Sequence, residues 1–404
     1  MSSIDPLPTS SSASGSGSER SRIAIVLPDL RGGGAERVNI NLANAFVARG
    51  YSVDMVLMRA TGELLPQLDP RVRVFNLAVD RVRHLFFPLV RYIRSEQPSG
   101  MLACMWPLTV VAVLARAYTR AKCRLVLAEH TTWSVARIAQ QPLTRLIIRL
   151  TMRVLYGRAD AIVAVSKGSA SDLERMARMQ PKSVSTIYNP LIDPGRAAPA
   201  LPTTPEAWVS GPHKRVLAAG TLTEIKDYPT LLRAFFLVRE SFDAKLLILG
   251  EGAQRTELQA LIGELGLANE VFMPGFVLNP RSYFAHADLH VLSSTGEGLP
   301  SVIVEALEQG TPVVSTDCPS GPREILDYGR YGTLVPVADP RALAEAITGS
   351  LLASHDTEAL RARAREFSIE PAVDQYLALL LPHACEGKQG HCEEDQKNVQ
   401  GNQP

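Results

Sequence analysis

Two glutamates eight residues apart define the stretch of this chain most suited to chemistry. Glu297 lies in the turn sequence TGEG, and Glu305 lies inside the apolar run SVIVEALEQ that follows it. A carboxylate among such neighbours needs a polar partner, because an unpaired charge is costly to bury. Sugar hydroxyls suit a carboxylate as partners, whereas a phosphate would repel it. The alternative, that Glu305 is a surface residue of an amphipathic helix, stays open at this point.

The apolar run around Glu305 is expected to form a helix whose start could bind an anion. Pro300 suits the first turn of that helix, and Gly310 suits the position just past its end. The first amide groups of a helix have no partner inside it and attract negative charge. The amides expected to bind the anion are those of Leu299, Ser301 and Val302, and Gly298 and Pro300 belong to the same expected binding segment.

Three consecutive glycines, Gly32, Gly33 and Gly34, follow the first predicted strand and precede a predicted helix. Glycine lets the backbone approach a ligand closely, and the helix start again favours an anion. The spacing is not GxGxxG, because Arg37 stands where the third glycine would be, so a dinucleotide site is a poor interpretation. A tight turn without a ligand is the alternative.

Polar residues also end or follow other predicted strands. Lys226 lies between a strand end and a helix start, where its ammonium group could reach a phosphate as a point charge. Glu129 and His130 end the strand RLVLAEH, which suits hydrogen bonds to a substrate hydroxyl. Each position also has a structural interpretation, since such a lysine is often only solvated and such a histidine often belongs to the fold.

The segment VSKGSASDL predicts a strand, a turn and a helix that Ser169 or Ser171 caps. We interpret this segment as part of the fold. Ser166 and Lys167 are possible contacts to a second substrate. The segment CPSGPREIL predicts a second loop and helix start, with Glu324 near it.

These loops belong to an alternating pattern of strands and helices. The predicted strands are residues 22–30, 51–58, 124–130, 159–166, 215–220, 244–250, 271–276, 287–294 and 311–317. Short apolar strands that alternate with helices predict parallel sheets covered on both faces, and such sheets bind ligands at the carboxyl ends of their strands. We therefore expect an α/β protein of two doubly wound, Rossmann-like domains that face each other across a cleft.

Composition sets the expected boundaries of these domains. Residues 189–213 contain six prolines and little periodicity, which is typical of a linker, and both ends of the chain are polar. The expected division is a disordered tail at 1–21, an N-terminal domain at 22–190, a linker at 191–213, a second domain at 214–366, a last helix at 367–382, and a disordered tail at 383–404.

The overall composition fits a globular protein in the cytoplasm. The chain has 404 residues, of which 46% are hydrophobic, and its five cysteines form no CxxC pair. The first 18 residues include eight serines and no apolar run, so we expect no signal peptide. No uninterrupted apolar stretch is long enough to predict a transmembrane helix.

The net charge of +1 conceals a strong asymmetry. Residues 22–190 carry 24 Lys and Arg against 11 Asp and Glu, whereas residues 191–404 carry 17 against 28. A basic first half indicates an anionic partner: phosphate, nucleic acid or a membrane surface. No basic patch interleaved with aromatic residues supports nucleic-acid binding.

The segment PLTRLIIRLTMRVLYGR predicts a basic amphipathic helix. Arg145, Arg149 and Arg153 recur every four residues, beside an apolar face formed by Leu146, Ile147, Leu150 and Val154. Such a helix can lie on an anionic leaflet. The alternative is a core helix with a solvated basic face. We favour a peripheral enzyme on the inner face of the cytoplasmic membrane.

From Arg22 to Leu381 the chain resembles glycosyltransferase family 4, the retaining sugar-nucleotide transferases of GT-B fold that act in bacterial surface-polysaccharide synthesis. The motifs that carry the resemblance are GGGAERV, EH, NP at Asn189 and Pro190, G-x5-K from Gly220 to Lys226, LGEG, PGF, the E-x7-E of Glu297 and Glu305, and DCPSGPREIL.

The resemblance implies a role for each matching residue. Glu305 would bind the ribose hydroxyls of the donor, Glu297 would meet the transferred sugar, and Lys226 would neutralise the diphosphate with the amides at the helix start. The domain at 214–366 would bind the donor, and the three glycines would close on it from the acceptor-side domain at 22–190. The last helix, 367–382, would cross back onto that first domain. His130 would lie near the reacting centre, and the nucleobase would pack against Phe276 and Val277.

One position departs from the family pattern. The family commonly has an arginine immediately after the glycine that matches Gly220, and here that residue is Thr221. A hydroxyl cannot supply the charge of a guanidinium. Lys226 alone, or Arg323 from the CPSGPRE segment, would then hold the leaving diphosphate.

The expected function is transfer of a hexosyl or N-acetylhexosaminyl group from a UDP-linked sugar to a saccharide or a lipid-linked saccharide. No convincing DxD pair occurs in the sequence, so a metal or other cofactor is not implied. Two alternatives stay open. A sugar-nucleotide 2-epimerase would share the architecture, and Thr221 would also fit a catalytically silent partner that binds the donor for another transferase.

Overall fold

The structure is a computed structural model and describes residues 21–31, 33–193 and 205–382. Gly32, the middle of the expected linker, and the expected tails apart from Ser21 lie outside the described residues. The described part of the chain forms two parallel sheets, each covered by helices.

The first sheet has seven strands in the order β3-β2-β1-β4-β5-β6-β7. The strands are β1 (Arg22–Leu27), β2 (Ser52–Leu57), β3 (Arg73–Asn76), β4 (Gly100–Cys104), β5 (Arg124–Glu129), β6 (Ala161–Ala164) and β7 (Ser185–Thr186). The central strand β1 pairs with β2 from Arg22↔Ser52 to Leu27↔Leu57, and with β4 from Ile23↔Gly100. It ends three residues earlier than the sequence predicts, where Pro28 has no amide hydrogen for the ladder.

Helices cover both faces of this sheet. The helices of the first domain are α1 (Gly34–Ala48), α2 (Phe86–Glu96), α3 (Leu108–Thr119), α4 (Pro142–Leu155) and α5 (Lys167–Ala177). One core joins α2 to α5 to one face of the sheet. A second core joins α1 to the other face.

The second sheet has six strands in the order β10-β9-β8-β11-β12-β13. The strands are β8 (Lys214–Ala219), β9 (Ala244–Leu249), β10 (Val271–Gly275), β11 (Leu289–Leu292), β12 (Val313–Thr316) and β13 (Thr333–Val335). The helices that follow β7 are α6 (Glu206–Val209), α7 (Tyr228–Arg239), α8 (Arg255–Glu264), α9 (Arg281–His286), α10 (Ser301–Gln309), α11 (Pro322–Ile325), α12 (Pro340–Leu352), α13 (Thr357–Arg365) and α14 (Ile369–Leu380).

The last helix returns to the first domain. Val373, Tyr376 and Leu380 of α14 are buried in the same core as α1 and the central strands of the first sheet. Short 3-10 turns complete the described part of the chain, at Leu65–Gln67, Val82–His84, Arg137–Gln140, Tyr156–Arg158, Glu224–Lys226 and Asp327–Gly329. Across the described residues, every helix is too short or too polar to cross a bilayer.

The topology explains where a ligand can bind. In both sheets the direction of strand order reverses at the centre, between β1 and β4 and between β8 and β11. The loops that leave the carboxyl ends on either side of such a switch point diverge and form a crevice. The expectation of two doubly wound domains is confirmed, and the residues after β1, β5, β8 and β11 meet at the gap between them.

Candidate active site

The centre of the site is an ion pair between residues that are distant in the chain. Lys226 Nζ lies 2.6 Å from Glu297 Oε1, and the Ser294 hydroxyl donates a hydrogen bond to the same oxygen at 2.6 Å. Both charged side chains are largely buried. Strands β8 and β11 are neighbours in the second sheet, so the loops that follow them carry Lys226 and Glu297 to one place.

The backbone around Lys226 is fixed by the β11 loop. The Ser293 hydroxyl donates to the carbonyl of Lys226 at 2.7 Å, and the amide of Thr295 donates to the carbonyl of Ile225 at 2.8 Å. Gly220 begins this loop with a φ of 154°, and a Cβ atom there would lie 3.3 Å from Lys226 Cε. A side chain at position 220 would therefore crowd the ammonium-bearing chain.

Helix α10 begins directly behind the ion pair. Pro300 is the residue before its first turn, and no side chain caps this end of the helix. Its apolar residues Ile303, Val304, Ala306 and Leu307 are buried in the second domain. The first amides of a helix have no partner inside it, so the uncapped start of α10, whose Ser301 lies beside Gly34 of the first domain, suits a phosphate group.

Glu305 lies in the gap between the domains. Its side chain is 15% exposed, and Arg37 Nη1 of the first domain lies 3.9 Å from Glu305 Oε1. The same guanidinium donates a hydrogen bond from Nη2 to the carbonyl of Leu278 at 3.0 Å. Glu305 is thus neither a core residue nor a freely solvated one; it faces the other domain.

The glycine loop lies against the start of α10. A Cβ atom on Gly34 would be 3.9 Å from the Ser301 hydroxyl oxygen. Gly33 precedes α1, and a Cβ atom there would collide with the carboxylate of Glu36 at 2.1 Å. Burial raises the pKa of Glu36. Gly32 lies outside the described residues.

His130 contacts the turn that carries Glu297. A Cβ atom on Gly298 would lie 2.3 Å from the carbonyl oxygen of His130, so only glycine permits this approach. The Nε2 atom of His130 is shielded from solvent and has no hydrogen-bond partner among the described residues. Burial lowers the pKa of His130 to about 4, so its ring is neutral at pH 7. A buried nitrogen without a partner suits a ligand hydroxyl.

A group of hydroxyls in the first domain holds the same turn. Thr132 Oγ1 lies 2.5 Å from the carbonyl oxygen of Glu297, and the Ser169 hydroxyl donates to the carbonyl of Gly298 at 3.4 Å. The two hydroxyl oxygens are 2.9 Å apart. The cap of α5 is Ser166, whose oxygen accepts from the Ser169 amide, so the prediction of Ser169 or Ser171 is wrong. Ser166 is the residue with extended backbone immediately before the helix.

Glu324 of the second domain occupies the start of α5. Its carboxylate accepts hydrogen bonds from the amides of Lys167 at 2.9 Å and Gly168 at 2.7 Å, and from the Tyr188 hydroxyl at 3.3 Å. A Cβ atom on Gly168 would lie 2.6 Å from the Ser320 hydroxyl oxygen. The start of α5 is therefore a contact between domains.

The remaining residues of the predicted donor site lie in loops that follow strands of the second domain. Phe276 is exposed and Val277 is half-buried, both in the loop after β10. Thr221 is exposed and follows β8. Arg323 is bound to Asp317 and 57% exposed, so Lys226 is the better placed cation for a diphosphate.

Two predicted residue groups lie elsewhere. Glu129 is buried in the first domain, where it accepts hydrogen bonds from the hydroxyls of Tyr156 and Thr109, so the interpretation of Glu129 as a substrate ligand is wrong. Burial raises the pKa of Glu129 to about 7. The arginines of the basic helix, Arg145, Arg149 and Arg153, lie on α4 at the outer layer of the first domain.

Sequence reasoning missed the contacts that join the domains, which are made by Arg37, Thr132, Ser169 and Glu324. It also missed Ser294, whose hydroxyl holds Glu297 within the second domain. Arg37 had a usable signal, because it lies in the first turn after the glycine loop. The hydroxyls had none, since serine and threonine occur in most loops. In the described part of the chain, no group of three His, Cys, Asp or Glu side chains is arranged to hold a metal ion.

Comparison with known families agrees with this geometry. The family described as Glycosyltransferase Family 4 matches residues 32–193, and the family described as Glycosyl transferases group 1 matches residues 213–352. The two matches together span most of the chain and lie on either side of residues 194–212.

Two curated relatives are bacterial transferases. The N-acetylgalactosamine-N,N'-diacetylbacillosaminyl-diphospho-undecaprenol 4-alpha-N-acetylgalactosaminyltransferase of Campylobacter jejuni is 34% identical over 233 residues, which are 58% of this chain and 61% of the relative. The chain thus spans less than two thirds of that relative. The lipopolysaccharide core biosynthesis glycosyltransferase LpsE of Rhizobium meliloti is 28% identical over 363 residues, 86% of this chain and 96% of the relative.

The fold also matches solved structures. The crystal structure of Anabaena Alr3699/HepE in complex with UDP and glucose superposes with a TM-score of 0.73 at 20% identity, over 89% of this chain and 99% of that one. WaaG, described as a glycosyltransferase involved in lipopolysaccharide biosynthesis, superposes with a TM-score of 0.67 at 17% identity. These matches confirm the GT-B fold. The two family matches, to Glycosyltransferase Family 4 in the first domain and to Glycosyl transferases group 1 in the second, show that the chain belongs to these glycosyltransferases.

Proposed function

We propose that this chain transfers a monosaccharide from a nucleotide sugar to a saccharide acceptor in the synthesis of a bacterial surface glycan. The observation that carries the proposal is the convergence of Lys226, Glu297, Glu305 and the start of α10 on the glycine loop of the opposite domain. Membership of the family supports the reaction class.

The donor is bound by groups of matched chemistry. Lys226 and the first amides of α10 hold the diphosphate, because cations and helix starts favour anions. Glu305 accepts hydrogen bonds from the ribose hydroxyls and Glu297 from hydroxyls of the transferred sugar. Phe276 and Val277 pack against the nucleobase. Lys226 and Glu297 lie within 2.6 Å of each other, so both can contact one donor, Lys226 at its diphosphate and Glu297 at its sugar.

The transfer breaks one bond and forms one. The bond between the anomeric carbon and the diphosphate oxygen breaks, and the acceptor hydroxyl oxygen bonds to that carbon on the same face, so the configuration is retained. The acceptor proton leaves on the departing nucleoside diphosphate. Lys226 and the α10 amides stabilise the negative charge that develops on this leaving group, and a fixed set of donors does so without reorganisation.

We propose that the leaving group needs no divalent metal, because Lys226 and the helix start supply the positive field. Transfer measured in EDTA should equal transfer in magnesium. An activity that EDTA abolishes and magnesium restores would contradict this part of the proposal.

The donor nucleotide is proposed to be uridine diphosphate and the acceptor a lipid-linked saccharide. UDP occupies the solved structure of the Anabaena protein that shares the fold, and a diphospho-undecaprenol acceptor is part of the name of the Campylobacter relative. Both are carried over to this chain by similarity alone.

The test is a thermal-shift screen of the purified chain against UDP- and GDP-linked sugars, followed by calorimetric titration of the best donor. At a fixed ligand concentration, a ligand that binds only the folded state raises the melting temperature more, the tighter it binds. Glu305→Ala should weaken that titration at least a hundredfold, whereas Glu345→Ala, on the exposed side of α12, should leave it unchanged. Equal titrations for Glu305→Ala and the parent chain would refute the assignment.

Product analysis separates the alternatives. Release of free epimerised donor without an acceptor would identify a 2-epimerase. Donor binding with neither transfer nor hydrolysis would identify a silent partner. A new glycosidic bond whose anomeric configuration equals that of the donor, measured by NMR, is the expected result.

A further inference from the structure

Helix α4 exposes its apolar side instead of burying it. Leu143, Leu146, Ile147, Leu150 and Val154 are each 46 to 70% exposed. With 3.6 residues per turn, these positions form one stripe on the side of the helix opposite its two buried residues, Ile148 and Met152. The alternative of a core helix with a solvated basic face is therefore wrong, because the core does not contain the apolar stripe.

The arginines of α4 lie directly beside this stripe. At the same helical spacing, Arg145, Arg149 and Arg153 fall between the exposed stripe and the buried side. Across the described residues, no carboxylate forms an ion pair with any of the three. When the stripe faces a bilayer, the long arginine side chains can reach the level of the headgroups.

The whole outer layer is basic. From the first residue of α2 to the last of α4, the sequence contains ten Lys and Arg but only two acids. Glu129 is buried, and Glu96 is hydrogen-bonded to Arg73. Asp160, just after α4, is exposed and pairs with Arg116 of α3. Basic groups nevertheless outnumber acids on this layer, which therefore presents a net positive charge.

Exposed aromatic side chains lie on the neighbouring helices of the same layer. Phe87 of α2 is 72% exposed, and Tyr118 of α3 is 56% exposed. The Phe86 ring lies 5.6 Å from the Tyr118 ring, and the Arg94 guanidinium lies 5.3 Å from the same ring, so one basic group stands beside these aromatic side chains. Helices α2, α3 and α4 pack on one core and so share an outer surface.

We propose that this surface of α2, α3 and α4 docks the chain on an anionic lipid bilayer, with the α4 stripe entering the acyl boundary and the arginines contacting phosphate headgroups. Apolar and basic groups alternating on one surface match the two layers of such a bilayer, whereas a protein partner would need complementary acids at fixed positions. The surface stands apart from the donor site, and its lipid binding does not depend on the proposed reaction.

The position of α4 adds a consequence that rests on the proposed function. The loop between β5 and α4 contains Thr132, which is bonded to Glu297, so the beginning of α4 lies at the cleft edge of the first domain. Docking through α4 therefore places the cleft next to the membrane surface, where a lipid-linked acceptor would arrive.

The test is co-sedimentation of the full chain with vesicles of phosphatidylcholine containing 30% phosphatidylglycerol. Binding should be strong at low salt, at least tenfold weaker in 1 M NaCl because salt screens the headgroup attraction, and undetectable with pure phosphatidylcholine. The triple variant Arg145→Gln, Arg149→Gln, Arg153→Gln should bind at least tenfold more weakly. Its matched control removes three exposed arginines of the second domain, Arg233→Gln, Arg330→Gln and Arg341→Gln, and should bind as the parent chain does.

A second variant tests the apolar stripe. Leu143→Ser with Leu150→Ser should weaken vesicle binding at least fivefold, and Val337→Ser with Leu352→Ser, exposed residues of the second domain, should not. Donor titration of every variant reports whether the fold and the donor site are intact. Unchanged binding by both α4 variants, equal binding to neutral vesicles, or a dimer in solution that covers α4 would each overturn the proposal, even if donor binding is normal.

Discussion

The Thr132 hydroxyl donates a hydrogen bond to the main-chain carbonyl of Glu297 across 2.5 Å. Thr132 belongs to the loop after β5 in the first domain, and Glu297 to the turn after β11 in the second. The bond therefore forms only when the two domains are close together, and it then helps to fix the position of the Glu297 carboxylate.

Replacing Thr132 by valine should impair turnover more than donor binding. Valine keeps the shape but leaves the Glu297 carbonyl without its donor, which costs about 1–3 kcal/mol when the group is buried. We expect kcat to fall roughly tenfold, with the donor Kd changed less than threefold and activity largely rescued in Thr132→Ser. Thr333→Val, on an exposed edge strand, is the control. An unchanged kcat in Thr132→Val would show that the bond does not position Glu297.

Arg37 contacts two parts of the donor-binding domain. It lies 3.9 Å from Glu305 and donates to the carbonyl of Leu278. Arg37→Met should remove both contacts and weaken donor binding about three- to tenfold, as expected for one partly exposed charged hydrogen bond. Arg37→Lys should retain part of the affinity, and calorimetry at 50 and 300 mM salt should resolve the difference. The exposed Arg233→Met variant should bind normally; equal affinity in both variants contradicts a role for Arg37.

Glu324 holds the domains together at the start of α5. Its carboxylate accepts from two main-chain amides, and charged hydrogen bonds of this kind are the stronger ones. Glu324→Gln keeps one oxygen that can accept a hydrogen bond, but its NH2 group would face the second main-chain amide, which is also a donor. The contact between the two domains should therefore be less stable. Small-angle scattering should then give a larger radius of gyration for the free protein, and saturating donor should reduce it. Glu358→Gln, far more exposed on α13, should scatter as the parent chain does.

The buried carboxyl of Glu129 predicts a pH dependence of stability. Burial raises its pKa in the folded state to about 7, above the ordinary value of about 4.3 in the unfolded chain. Its contribution is fully present below the unfolded pKa and is lost as the pH rises through 7, because the unfolded chain releases the proton first. The slope is about 1.4 kcal/mol per pH unit between pH 5 and 7.

Glu129→Gln removes this proton release. Relative to the parent chain, the variant should gain unfolding free energy as the pH rises from 5 to 7, measured by urea denaturation at each pH. The control Glu345→Gln should run parallel to the parent chain. A difference between Glu129→Gln and the parent that stays constant with pH would mean that Glu129 is already ionised in the folded state at pH 5.

The local sequence was enough to predict the class of fold and the types of group in the site. The strands with branched apolar residues, such as Arg22–Leu27 and Ala244–Leu249, were predicted because their composition matches a buried parallel strand. The central strand β4 was missed. Its sequence GMLAC has weak strand preference, and only its position between β1 and β5 makes it a strand.

At the site, the sequence by itself determined the features that depend on neighbouring residues, and the tertiary structure decided those that depend on distant segments. The glycine loop, the start of α10 and the E-x7-E pair are local, because each depends on backbone geometry within about ten residues. The pairing of Lys226 with Glu297 is not local, since it arises only because β8 and β11 are adjacent in the sheet. The exposure of the α4 stripe depends in the same way on how the helices pack on the sheet. The hydrogen bonds of Thr132, Arg37 and Glu324 depend on how the two domains pack. The spacing of residues along the chain contains no information on which distant surfaces come into contact.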